Sequence, residues 1–424
     1  MRLTNVAQLS LPDGELHSYA VRVNRGDVEL PVSFDQGRHV GQGDRPGSWM
    51  AISFRMPGVT RDELAAGWDA VVARHGTLRT VFVEGPDRLR LYAGEPAPGV
   101  WRQHPVSGAV AGTLRQVLDT ECRPYAAGSM LLCVVQPDAG EPVVVIGADH
   151  AHVDMWSLLV LGRDLGSAIE QVRAGADAAL PPAPAFAAHT TMLERMPPTP
   201  ADVTLTWERL LAAEGGRMPR FPLPLGDVSE PRDEVVEVRD VLDADGVARL
   251  TRAADAHGVR VTSVALGVLA DVSLRLAGAP LRAVFPVHSR SDERWLDAVG
   301  WFITNAVIEC DDPHPPAVAA DVKRALRLGS FPLAPIFAPY GGMPDTPGMF
   351  AVSWLDTRRL PVTVPAESNA HWVSAVIRTD GVMIWFVVND SGLHLRCRYP
   401  DTPEARESMS RWLGAVETGL RDAA

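Results

Sequence analysis

Residues 147–157 read GADHAHVDMWS. Two histidines and two aspartates fall within positions 149–154, directly after the apolar run VVVI at 143–146. An imidazole titrates near neutral pH and can accept and return a proton. With carboxylates beside it, it can also ligate zinc, and an aspartate or serine in such a turn can simply cap a helix. The flanks set the local fold. The segment EPVVVIGA (141–148) is a short β-branched run between proline and glycine, which predicts a strand buried on both faces. Beyond the cluster, Leu158, Leu161, Leu165 and Ile169 share one face at helical spacing, which predicts an amphipathic helix. The cluster therefore lies on a strand-to-helix turn, and metal ligand, catalytic base and helix cap all stay open until other segments are read.

The same punctuation continues outward. TRDELAAGWDAVVARHGTLRTVFVE (60–84) starts with a capping box, Thr60 and Glu63. Leu64, Trp68, Val71, Val72 and His75 follow at helical spacing, and the period changes to strand at LRTVFVE. In the second half, DADGVARLTRAADAHG (243–258) predicts a helix that Gly258 can stop. VTSVALGVLADVSLRLAG (261–278) predicts a buried helix, and the end of the chain, 401–423, an amphipathic one. LRAVFPVHSR (281–290), VGWFITNAVIEC (299–310) and GVMIWFVVND (381–390) read as strands. Both halves are mixed α/β. Proline-rich stretches at 180–202 and 217–234 separate them. The expected organisation is a first unit over 1–180, a linker over 181–234 and a second unit over 235–424.

Composition narrows the class. The net charge is -12 and no polybasic block occurs, so the electrostatic footprint of nucleic-acid or anionic-membrane binding is missing. The first residues carry no apolar core of signal-peptide length, and no apolar run is long enough to cross a bilayer. Cys122, Cys133, Cys310 and Cys397 are scattered without CxxC spacing, the pattern of buried small hydrophobes. A cytoplasmic protein is expected. HAHVDM (150–155) comes close to the HxHxDH pattern of metallo-β-lactamase-like hydrolases. Its last ligand position, however, is Met155, a soft thioether and a poor substitute for imidazole, so no metal site is expected.

Three further segments bear on the cluster. RHGTLRTVF (74–82) resembles the RHExLRTxF segment of nonribosomal-peptide condensation domains. VGWFITNAVIE (299–309) resembles their IGxFVNTxxxR segment, and FPVHSR (285–290) the strand ending in arginine before it. DHAHVDMWS (149–157) then aligns with HHxxxDGxS, their active-site motif. The motifs occur in family order over roughly residues 70–310. The resemblance implies the chloramphenicol-acetyltransferase-like acyltransferase superfamily. The implied fold is α/β, with two such lobes in a V-shaped pseudo-dimer around a central tunnel.

The resemblance also implies roles. His150 takes the catalytic histidine position and serves as general base. Asp154 is a structural carboxylate paired with an arginine from the other lobe, for which Arg290 is the candidate. Asp149 stands where the family has its first histidine, and Met155 where it has glycine. The Met155 backbone amide can still serve a developing oxyanion, while its side chain adds bulk. Trp156, Trp301, Ser157 and Asn305 are candidates to line the tunnel or donate near the reaction centre. His75 and Arg79 belong to a packing and capping segment. With no adenylation or carrier-protein motif in sight, a stand-alone monomeric enzyme is expected. It binds no resident cofactor and uses an acyl thioester, of coenzyme A or a carrier protein, as co-substrate, with a small-molecule hydroxyl or amine acceptor. VSWLDTRRLP (352–361) and VVNDSGLHLRCRYPDTPEARES (387–408) look similar to polyketide-associated acyltransferases that esterify lipids or sugars. Two alternatives remain open: a free-standing condensation enzyme that forms amides between carrier-bound substrates, and a recruitment module without turnover.

Overall fold

The computed structural model describes all residues, 1–424. The chain forms two compact units, and neither is continuous in sequence. The first comprises residues 1–195, 290–302 and 360–376; the second comprises 196–289, 303–359 and 377–424. This corrects the contiguous boundaries expected above. The segment 290–302 returns to the first unit because the Arg290 guanidinium is buried there among hydrogen-bond acceptors, as described below. Nor is 181–234 a plain linker, since it contains the helices Phe186–Glu194 and Ala201–Ala213.

The first unit is built on a seven-stranded sheet. Its strands lie in the order Arg2–Asn5, His371–Ser374, Trp49–Arg55, Val143–Asp149, Met130–Pro137, Gly14–Ala20, Val100–His104. Only the first pair is parallel. Val143–Asp149 is therefore central, and it is buried on both faces apart from its first residue. Close helix packing explains two of the glycines. A Cβ at Gly147 would lie 2.6 Å from Leu118 Cδ2, in the helix Val110–Glu121. A Cβ at Gly67, in the helix Arg61–Arg74, would lie 3.0 Å from Ile169 Cγ1, in the helix Met155–Arg173. The capping box of Thr60 and Glu63 is formed. Leu64, Trp68, Val71 and Val72 on one side, and Leu158, Leu161, Leu165 and Ile169 on the other, are buried as the periodicity predicted. His75 ends the first of these helices and donates from Nε2 to the buried Asp164 carboxylate at 2.8 Å, a packing role. A smaller antiparallel sheet of Val23–Leu30, Leu89–Pro96 and Thr80–Glu84 completes the unit.

The second unit carries its own seven-stranded sheet. The order is Ile303–Cys310, Leu281–His288, Phe350–Asp356, Val382–Asn389, Gly392–Pro400, Arg232–Asp243, Arg378–Thr379. The two pairs flanking Phe350–Asp356 are parallel and the others antiparallel. The helix Val261–Ala277 is buried along most of its length and is closed by Gly278, while Gly258 takes the left-handed conformation just after Ala244–Ala256. No helix is long and apolar enough to cross a membrane.

Candidate active site

The strand Val143–Asp149 delivers its polar terminus into a single 3-10 turn, His150–His152, before the helix Met155–Arg173 begins. The turn is held from several sides. Asp149 Oδ1 accepts from the Ala151 amide at 2.9 Å, and the His150 amide donates to the Ser48 carbonyl at 2.9 Å. Gln36, itself part of a capping box with Ser33, donates its side-chain amide to the Ala151 carbonyl at 2.9 Å.

Asp149 is fully buried and faces a residue that the sequence reading did not single out. His39, near the end of the helix Phe34–Val40, places Nε2 3.1 Å from Asp149 Oδ1. Arg45 approaches the other ring nitrogen, Nδ1, at 3.2 Å. A guanidinium can only donate, so Nδ1 accepts, and the ring proton sits on Nε2, where it is donated to Asp149. Burial works against ionisation of Asp149. The hydrogen bond from His39 is the largest opposing cause, and the carboxyl is held below its ordinary range. The residue that replaces the family's first histidine is thus paired with an imidazole brought from 110 positions away.

His150 is half-buried. Its ring stacks on the indole of Trp301, with centroids 4.0 Å apart and planes 24° from parallel. Nδ1 is enclosed and makes no hydrogen bond to another residue. The His150 carbonyl itself favours a proton on that side of the ring. Nε2 is then the nitrogen left for an incoming group. Burial, the largest cause, pushes the imidazole down from 6.5 to about 4, with Asp149 and Asp154 opposing. The ring is neutral at physiological pH. His152 is different: it is buried 5.5 Å from the Phe82 ring and belongs to the packing under the turn.

Asp154 caps the helix Met155–Arg173, accepting from the Ser157 amide at 2.6 Å. Its second oxygen accepts from the Phe302 amide at 3.0 Å. Arg290 Nη2 lies 3.3 Å from Oδ1. The guanidinium also donates to the Trp295 and Ala298 carbonyls at 2.6 and 2.7 Å and to Ser157 Oγ at 2.9 Å. It lies over the Phe302 ring at 3.9 Å and the Trp156 ring at 5.1 Å. Burial lowers its pKa from the ordinary value, opposed by Asp154.

Three further candidates have the following surroundings. Trp156 is buried against Arg290. Ser157 is fully buried, donates to the Gly300 carbonyl at 2.8 Å, and accepts from the Gly300 amide and from Arg290. One proton and two lone pairs are thereby used, which leaves nothing for a substrate. Asn305 belongs to the second unit, half-buried in the strand Ile303–Cys310 opposite Pro286. Met155 opens the helix, and its carbonyl accepts from the Trp372 indole at 2.9 Å. A side chain at position 300 has no room, because a Cβ there would sit 2.4 Å from the Phe186 ring. Gly300→Ala is expected to cost about 1–3 kcal/mol by overpacking, measured by denaturant unfolding; an unchanged midpoint would show that Phe186 can step aside. No group of three or more His, Cys, Asp or Glu side chains is arranged to hold a metal ion.

Comparison with known proteins bears on this geometry. Residues 44–324 match the family described as Condensation domain. CymA of Salinispora arenicola, named a probable non-canonical nonribosomal peptide synthetase, is 28% identical over 72% of this chain, which spans 4% of that protein's length. The acyltransferase PapA3 of Mycobacterium tuberculosis is 23% identical over 96% of this chain and 91% of its own. Among solved structures, the PapA2 acyl transferase matches with a TM-score of 0.87 at 19% identity, covering 100% of this chain and 99% of that one. The first condensation domain of the calcium-dependent antibiotic synthetase, in complex with a substrate analogue, matches with a TM-score of 0.73 at 15% identity. It covers 94% of this chain and 98% of that one.

Proposed function

The chain belongs to the condensation-domain family, and from that premise we propose its chemistry: it is an acyltransferase that moves an acyl group from a thioester to an acceptor hydroxyl or amine, with His150 as the general base. The observation that supports the base assignment is the placement of the ring, with Nδ1 enclosed and Nε2 left for substrate; burial, which disfavours the charged form, agrees with it. In the reaction, Nε2 accepts the acceptor's proton as its oxygen or nitrogen attacks the thioester carbonyl. The tetrahedral intermediate then collapses, the carbon–sulfur bond breaks, and the leaving thiolate takes the proton from Nε2. An imidazolium with a pKa of about 4 surrenders that proton readily to a thiolate, whose thiol has a pKa near ~8.5. The amide of Met155, in the first turn of its helix, is the donor suited to the oxyanion, since the first-turn amides have no partner inside a helix.

The donor thioester is carried by coenzyme A or by a carrier protein's phosphopantetheine, and the acceptor is a small molecule. Intact-mass analysis of candidate acceptors incubated with acyl-coenzyme A and acyl-carrier donors tests this. A mass increase of one acyl group supports it, and absence of product with every donor and acceptor pair would favour a recruitment module instead.

The pH profile supplies a second check. The active form is the unprotonated imidazole, so kcat/KM rises with pH through about 4 and is level from roughly pH 5 on that limb. An acid limb centred near 6.5 would mean an imidazole open to water, contrary to the site described here.

A further inference from the structure

A histidine that acts as a base is commonly oriented by a hydrogen bond to its other nitrogen. His150 has only its own carbonyl on that side: Nδ1 makes no hydrogen bond to another residue. The torsion that turns an imidazole is broad, and a contact within the residue itself does not tie the ring to its surroundings. The indole of Trp301 is in the place to do so. It lies face to face with His150 at 4.0 Å, and His39 stands against both rings, 5.3 Å from the indole and 6.1 Å from His150.

Trp301 is itself fixed from both sides. The preceding residue, Gly300, uses its amide and its carbonyl on the Ser157 hydroxyl. The following residue, Phe302, donates its amide to Asp154. Phe186, Trp295, Ala298 and Phe302 form a buried cluster against which the Trp301 side chain packs. Asp154 and Ser157 therefore grip the backbone on either side of this one indole.

We infer that Trp301 is a positioning residue for acyl transfer: its indole, held between the Asp154 and Ser157 anchors, fixes the plane of the His150 imidazole and keeps water from one of its faces. This rests on the reading of His150 as the base. The titratable groups that bear on the ring are His39 from the helix Phe34–Val40, Asp149 at the end of its strand and Asp154 at the start of the next helix. Loss of water is the largest influence on the imidazole. With the indole in place, that loss already outweighs any attraction its face offers to an imidazolium. Opening the face to water therefore moves the titration upward.

The test uses the full chain with labelled histidine, comparing Trp301→Ala and Trp301→Phe by NMR titration and steady-state kinetics. The His150 resonance is assigned by its absence in His150→Ala. In Trp301→Ala, kcat is expected to fall about 10- to 100-fold, the scale of a misplaced catalytic group, with KM changed less than about twofold. The His150 midpoint is expected to move from about 4 toward 6.5. Trp301→Phe, which restores a stacking face, recovers most of both. An unchanged kcat in Trp301→Ala, or a fall in kcat with the His150 titration unmoved, overturns the inference. Failure of the base reading has another signature: His150→Ala stays active while the His150 titration still responds to Trp301→Ala, in which case the ring contact stands and the base assignment falls.

Discussion

Replacing His150 with alanine is expected to lower kcat for acyl transfer by about 10²–10⁴-fold, the range of a lost general base. No neighbouring imidazole can take over. His39 is 6.1 Å away between centroids and spends both ring nitrogens on Asp149 and Arg45. His152 is buried against Phe82 beneath the turn. The substitution should leave the fold in place, because the His150 ring makes no hydrogen bond to another side chain and the turn is held by the backbone contacts of Asp149, Ala151 and Ser48. Intact-mass detection of acylated acceptor, run beside circular dichroism, separates lost chemistry from lost structure. Equal product from wild type and variant would remove His150 from the mechanism.

Asp154→Ala is expected to act on the other quantity, stability, by about 3–5 kcal/mol. Asp154 is 1% exposed and its partner Arg290 is 4% exposed, so removal of the carboxylate leaves a buried guanidinium without its counter-charge. The same change strips the helix Met155–Arg173 of its cap on Ser157 and releases the Phe302 amide. The measurement is urea unfolding of the purified variant. Replacement of both partners, Asp154→Leu with Arg290→Met, should cost less than Asp154→Ala alone, because no charge is then stranded. A soluble Asp154→Ala protein with wild-type stability would show that water or another group serves Arg290. Activity should fall with stability, since the segment carrying Trp301 hangs on the same carboxylate.

The departures from the family motif find local explanations. Aspartate at position 149 is not an isolated exchange: it accepts from the turn amide of Ala151 and engages His39. Its negative charge and the His39 ring belong together, and a sequence that changed only one would strand a buried polar group. Methionine at position 155 is tolerated because it opens a helix in ordinary helical geometry, with no need of glycine's left-handed conformation.

The sequence by itself determined what depends on neighbours along the chain. The buried strand before the cluster, the helix after it, the capping box at Thr60 and the placement of His150 and Asp154 on the intervening turn follow from residues within a few positions of one another. The motif order also pointed to Arg290 as the partner of Asp154. The Ser33 and Gln36 capping box marks the helix that ends near His39 and was open to the same reading, but nothing local says that this histidine meets Asp149. Only the tertiary structure decided which side chains close on the turn. It saturated Ser157 with Gly300, buried Trp156 under Arg290, assigned Asn305 to the second unit, and laid Trp301 on the imidazole. These contacts join residues more than a hundred positions apart. They are fixed by sheet register and by the return of 290–302 to the first unit, and hydrophobic periodicity carries no record of either.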